Sequence, residues 1–283
     1  MNKAKERLLR HFITPLFLAT TAVLLSACSA IPAAETGGPL PNQPTYPVLL
    51  HENSERRAAT LSAASRALTT GASGQGIELQ PVTATVAGLT SNQPLPLYLP
   101  KLGTAEVMNE DETRESLRRF LIDWQSIIGS DPAHLSLVGR VSETSGAEVA
   151  NYEQRPFRHP LRGGFGNLEI RFGKDRRVLN VISTCIPDAE SLQPMLAAIT
   201  PTLRPEDATQ YVLQNGVTFT DVNGRIKSFK PTPEQVDARE PVFFVTRSQD
   251  SLEFHLAWAI ELKEAAVKVV YLDALRAEIL GVE

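Results

Sequence analysis

Cysteine is almost missing: the 283 residues contain two, which cannot build a disulfide framework. Aromatic residues make up 6%, thin for a protein that stacks sugars or bases. Positive charge is not in excess. Lys and Arg number 28 against 32 Asp and Glu, a formal net charge of −4. A dedicated nucleic-acid binder is excluded, because there is no surplus of cations to displace phosphate counterions. What remains is ordinary globular composition, 42% hydrophobic and 21% charged, which excludes a wholly disordered or fibrous chain. The length suits one large domain or two small ones.

Long hydrophobic runs are also scarce. Lys3, Lys5, Arg7 and Arg10 precede a stretch from Phe12 to Ala27 that is apolar or small apart from Thr, Ser and Pro15. A basic stretch followed by a short apolar one is a secretory signal. The run falls short of the roughly 20 residues that cross a bilayer. It ends Leu25-Ser26-Ala27-Cys28, which resembles the bacterial lipobox, whose cysteine receives diacylglycerol. The resemblance implies a signal peptide over 1–27 and lipidation at Cys28. It implies the extracytoplasmic side of a bacterial membrane, with the membrane as partner through the lipid anchor. Residues 1–27 carry four basic residues and one acid. Their removal takes the net charge from −4 to −7, so the anchor and not a basic patch holds the chain to anionic lipid.

Residues 28–47 read as a lipidated tether extended by Pro39, Pro41, Pro44 and Pro47. Residues 48–104 read as a loosely structured arm. Glu55 to Leu68 has helical residues, 69–76 break it, and 77–99 show β-type residues cut by Pro81, Pro94 and Pro96.

From Asp111 the pattern sharpens. Leu117, Phe120, Leu121, Trp124, Ile127 and Ile128 fall on one helical face over 112–128, with Asp111 as cap and Gly129 as terminator. Four short β-rich runs follow: 134–141, 147–154, 166–172 and 177–184. The order then recurs. A helix opens at Pro201 to Pro205 and runs to about 214. Strands are expected over 217–222, 225–229, 241–247, 253–262 and 266–273, with one more over 276–281. Phe254, Leu256, Trp258 and Ile260 alternate, so they share one face. The expected class is α+β, two modules each with one helix packed on an antiparallel sheet, over 105–187 and 188–283.

Two sets of residues carry a family resemblance. Phe254-His255-Leu256-Ala257-Trp258-Ala259-Ile260-Glu261-Leu262, followed by Val270-Tyr271-Leu272-Asp273-Ala274-Leu275, resembles the end of a thermolysin-family propeptide, a PepSY-like module. Tyr152-Glu153-Gln154, Arg162-Gly163-Gly164 and Leu168 to Phe172 are similar to the fungalysin–thermolysin propeptide module that accompanies it. The resemblance implies a cystatin-like fold. It implies a protein partner, a secreted metallopeptidase that is inhibited or helped to fold. Another envelope protein, bound in a structural or sensory role, is the alternative.

The peptidase's own motif is not in the sequence. No His-Glu-x-x-His occurs; the nearest string is His51-Glu52-Asn53-Ser54-Glu55, which lacks the second ligand. His134, His159 and His255 are scattered singly. The expectation is no catalytic residue, no metal and no cofactor, in a binding protein and not an enzyme. Cys185 reads as a small buried hydrophobe in a β-rich run, with a catalytic thiol as the alternative. Arg155, Phe157, Arg158, His159 and Arg162 stand close together in an acidic chain. They read as a docking segment for an anionic partner or as a solvated hairpin loop.

Overall fold

The computed structural model describes residues 45–68, 76–89, 97–104, 107–139, 141–144, 146–220 and 223–283. These lie within one compact unit, Pro41–Glu283. The expected signal peptide, Cys28 and the tether up to residue 44 fall outside the described residues.

The elements run β1 (Val48–His51), α1 (Ser54–Ala67), β2 (Ile77–Leu79), β3 (Val86–Leu89), α2 (Glu110–Asp123), α3 (Gln125–Ile128), β4 (Leu135–Leu137), β5 (Ser142–Thr144) and β6 (Ala147–Gln154). They continue with β7 (Leu161–Arg162), β8 (Asn167–Phe172), β9 (Val178–Ser183), α4 (Ala189–Ala197), α5 (Pro205–Asn215), β10 (Val217–Thr220) and β11 (Ile226–Phe229). β12 (Val236–Arg247), β13 (Ser251–Leu262), β14 (Val269–Asp273) and β15 (Ile279–Val282) complete the order. The class is α+β, with few helices and largely antiparallel sheets. Among the described residues no helix is long and apolar enough to cross a membrane.

One core forms on the sheet β4-β6-β8-β9, with β5 also on β6. Ala150, Tyr152, Leu168, Ile170, Phe172 and Val181 point to one face and meet Leu117, Phe120, Trp124, Ile127 and Ile128 from the helices. The expected apolar stripe is therefore the buried one, and the Phe120 and Trp124 rings stack at 4.9 Å. The helix starts earlier than expected. Asn109, not Asp111, is the cap: its side chain accepts from Glu112 N while the Glu112 side chain accepts from Asn109 N. This reciprocal pair satisfies two otherwise unpaired donors, and Asp111 adds negative charge to the first turn. Gly129 ends α3 at φ +79°, and a Cβ there would lie 2.4 Å from Thr85 Cγ2. Only glycine fits both the left-handed backbone and the close approach.

The second core forms on β15-β14-β13-β12-β7, with β1 also on β13. Phe243, Val245, Phe254, Leu256, Trp258, Ile260, Val270 and Leu272 share its first face, covered by Leu192 and Leu196 of α4 and by Ala208 and Val212 of α5. Trp258 Nε1 donates to Leu203 O at 2.9 Å, so the indole is core with its polar end satisfied. The opposite face is also buried. Val242, Phe244, Ala257, Ala259 and Tyr271 form their own cluster, with the Phe244 and Tyr271 rings 4.6 Å apart. Phe244 on β12 reaches Gly281 on β15, where a Cβ would stand 2.7 Å from its ring. The two strands are separated by β13 and β14, so the sheet must curl towards this face. Small residues at Ala257, Ala259 and Gly281 leave room for the curl.

Several expectations are corrected. Residues 48–104 are not a loose arm where they are described. They hold a strand, a helix and a hairpin, and they enter both cores through Val48, Leu50 and Val82 and Ala64, Ile77, Val86 and Leu99. Pro47 and Pro81 flank β1 and β2 and limit their ladder pairing, and β1 pairs with residues far away in sequence: Val48 lies opposite Phe254. Helix α4 over 189–197 has no counterpart among the expected elements; its internal Pro194 obscures the helical pattern. The strand expected to start at Pro241 starts at Val236. Pro241 is tolerated because β7 lines that edge only at Phe243 and Phe244. The β10–β11 hairpin, expected within the main sheet, stands apart from it.

Candidate functional site

The two cores meet at a polar seam. Asn53 caps α1 by accepting from Glu55 N and Arg56 N, which sets Arg56 in the first turn. Thr83 and Thr85 flank Ala84, whose φ is +55°. Their hydroxyls lie 2.9 Å apart, and Thr85 Oγ1 donates to Ser183 O at 2.9 Å. Gln154 closes β6 and bonds the Ile186 backbone twice: Nε2 donates to the carbonyl at 2.9 Å, and Oε1 accepts from the amide at 2.7 Å. Ser183 Oγ donates to Ile128 O at 2.6 Å. Burying these groups is costly unless each is paired, and here the pairing joins the segments between the cores.

Beside this seam opens a cavity of about 870 Å³, within the size range of ligand sites. Its walls carry Arg56, Thr60, Gln125, Ser126, Ser130 and His134, among others, and it runs to the start of α4. Arg56 Nε and Nη2 both donate to Asp188 Oδ2, at 3.2 and 2.8 Å. Its Nη1 is buried without a hydrogen bond in the described structure. The lining sets hydroxyl, amide and charged groups among Ala59, Ile122, Ile186, Pro187 and Ala189, which suits a ligand that both hydrogen-bonds and buries apolar surface.

The segment expected to dock a partner turns largely inward. Phe157 packs against Phe243 and Phe254, with ring centroids 6.0 and 6.5 Å away. His159 lies against Phe243 at 5.5 Å, and burial, aided by the Arg158 charge, lowers its pKa. Leu161 and Arg162 form β7, parallel to Phe243 and Phe244. Arg162 Nη2 lies 3.5 Å from Glu240, and Arg155 pairs with Glu153 at 2.9 Å. Of the five residues, Arg155 and Arg158 remain exposed. The segment carries the chain from one sheet to the other.

Cys185 is fully buried, and burial pushes its thiol up to about 11. It is not a thiolate at neutral pH. Among the described residues no group of three or more His, Cys, Asp or Glu could hold a metal ion.

Sequence reasoning missed one cluster, at Tyr46, His255 and Asp273. His255 Nδ1 lies 3.0 Å from Asp273 Oδ2, and Tyr46 donates to the same oxygen at 2.8 Å. The one available signal was strand alternation, which turns His255 away from Phe254 and Leu256. Nothing in the sequence joins position 46 to position 273. No protein-family model matches the chain, and no curated protein matches it.

Proposed function

We propose that this chain is a lipid-anchored envelope protein that binds a protein partner, with the cavity beside the polar seam as its contact surface. The observation that carries this reading is the cavity itself: about 870 Å³, with hydroxyl, amide, guanidinium and carboxylate groups set among apolar wall residues. Such a mixed surface recognises a polypeptide by hydrogen bonding together with apolar burial. The Leu25-Ser26-Ala27-Cys28 string supports the anchor. The two hydrophobic cores, each a sheet with helices on one face, support a pair of propeptide-like modules. On that resemblance the partner is a secreted metallopeptidase, which the chain inhibits or helps to fold.

The test uses the full chain purified with its anchor and secreted metallopeptidases from the same cell. The expected result is slower peptide hydrolysis, or a higher yield of refolded peptidase, with the wild-type chain. Ser126→Phe, which fills the cavity from an exposed position, should abolish either effect. A chain that changes neither the rate nor the yield of any of them refutes the peptidase reading. An effect that survives Ser126→Phe moves the contact away from the cavity.

A further inference from the structure

Tyr46 stands where the described chain enters the second core, half-buried and held by several contacts. Its hydroxyl donates to Asp273 Oδ2 at 2.8 Å. Its ring meets His255 edge-on at 5.8 Å. The Arg276 guanidinium lies 5.2 Å over the ring, and Nη2 donates to Tyr46 O at 2.8 Å. Asp273 is fully buried. Its Oδ1 accepts from the Leu275 and Arg276 amides at 2.8 and 2.9 Å. Glu253 completes the charged surroundings, with Oε2 3.4 Å from His255 Nε2.

The strand just after Tyr46 is held more lightly. β1 is four residues long and pairs only with Ser251 to Phe254 of β13. β14 pairs with β13 only from Ala257 to Glu261, so β1 fills the stretch of edge that β14 leaves open. Val48 and Leu50 are buried, while Leu49 and His51 are exposed. Any extended segment with apolar residues at alternate positions meets that demand. α1 has its own cap at Asn53, so β1 can leave without unwinding the helix.

We propose that Tyr46 to His51 is a removable strap occupying a strand-addition site on β13, with the Tyr46–Asp273 hydrogen bond as its latch. The occupant that the site fits is an extended polypeptide of alternating apolar residues, preceded by a hydroxyl-bearing aromatic residue. The surface uses none of the cavity residues, and the inference does not rest on the function proposed above. The latch holds at neutral pH. Burial tends to raise the Asp273 pKa, but the bonds from His255, the Leu275 and Arg276 amides and Tyr46 outweigh it and keep the carboxylate charged.

The test compares full-length wild type with Tyr46→Phe and Asp273→Asn by hydrogen exchange, and adds a labelled peptide with the sequence of residues 45–52. In Tyr46→Phe the amides of 48–51 should exchange about tenfold faster or more, from the loss of a charge-assisted hydrogen bond. Those of 256–260 should stay protected. The peptide should bind this variant at least about tenfold more tightly than wild type, and a peptide with Phe in place of Tyr46 should bind it more weakly. Unchanged exchange at 48–51, exchange of 48–51 and 256–260 together, or a loosened strap that admits no peptide would each overturn the proposal. Tyr46→Phe removes one hydroxyl, so it decides between these outcomes even if Asp273→Asn fails to fold.

Discussion

The two large sheets solve burial differently. β8 alternates exposed or half-buried residues with Leu168, Ile170 and Phe172, all buried, so its sheet has one wet face and one dry face. β13 is buried at seven consecutive positions, Phe254 to Ile260. Its aromatic and branched residues serve one face, while Ala257 and Ala259 serve the other. A sheet with helices on only one side has to cover its second face by itself. Here it does so by curling, and the curl depends on small residues under Phe244 and Tyr271. Residue size, not hydrophobicity alone, therefore separates a half-buried sheet from a curled and fully buried one.

The sharpest test of this contrast truncates neighbours on opposite faces of β12. Phe243→Ala opens a cavity under the helices and should cost about 4 kcal/mol. Phe244→Ala should cost distinctly less, because the self-covered face can collapse around it. Equal losses in denaturant melts would show that the second face is as tightly packed as the first. Next in size is Gly281→Ala, which drives a methyl group into the Phe244 ring and should destabilise by about 2 kcal/mol. Phe244→Leu in the same chain should restore part of that loss, and strict additivity in the double mutant would argue against their contact.

An effect of similar size tests the polar end of the curled face. The Asp273 pKa is depressed in the folded state, so its contribution is present above its unfolded value and fades as the pH falls through the folded one. The stability gap between wild type and Asp273→Asn, about 2 kcal/mol from the lost charge-assisted bonds, should be constant above about pH 5 and shrink below about pH 4. A gap that widens towards acid would reverse the assignment. The smallest effect belongs to the region of the half-buried sheet. Glu115 pairs with Arg118 and Arg119 on the surface of α2, and those hydrogen bonds bring its pKa down to about 2. Glu115→Gln should leave the melting midpoint within error at physiological salt, because exposed pairs are screened.

Legibility followed the range of the interactions. The stripe from Leu117 to Ile128 and the alternation from Phe254 to Ile260 were readable, because periodicity is local and each buried face repeats within one element. α4 was hidden by Pro194, which breaks the local pattern although Leu192 and Leu196 still bury. Phe157 looked exposed among arginines, because its partners Phe243 and Phe254 lie about 90 residues away. The cavity was unreadable for the same reason: its walls come from α1, the Thr83–Thr85 turn, α3, the end of β6 and the start of α4.

By itself the sequence determined the α+β class, the main helical stripe and the inward faces of the long strands, since side-chain periodicity is written into neighbouring residues. Tertiary structure alone decided three things: that the described residues of 48–104 complete both cores, that the second sheet curls, and that Tyr46 meets Asp273. Each depends on which distant segments share a surface. That choice is made by the packing of the whole chain, where burial and hydrogen bonding are satisfied together, and by no local pattern.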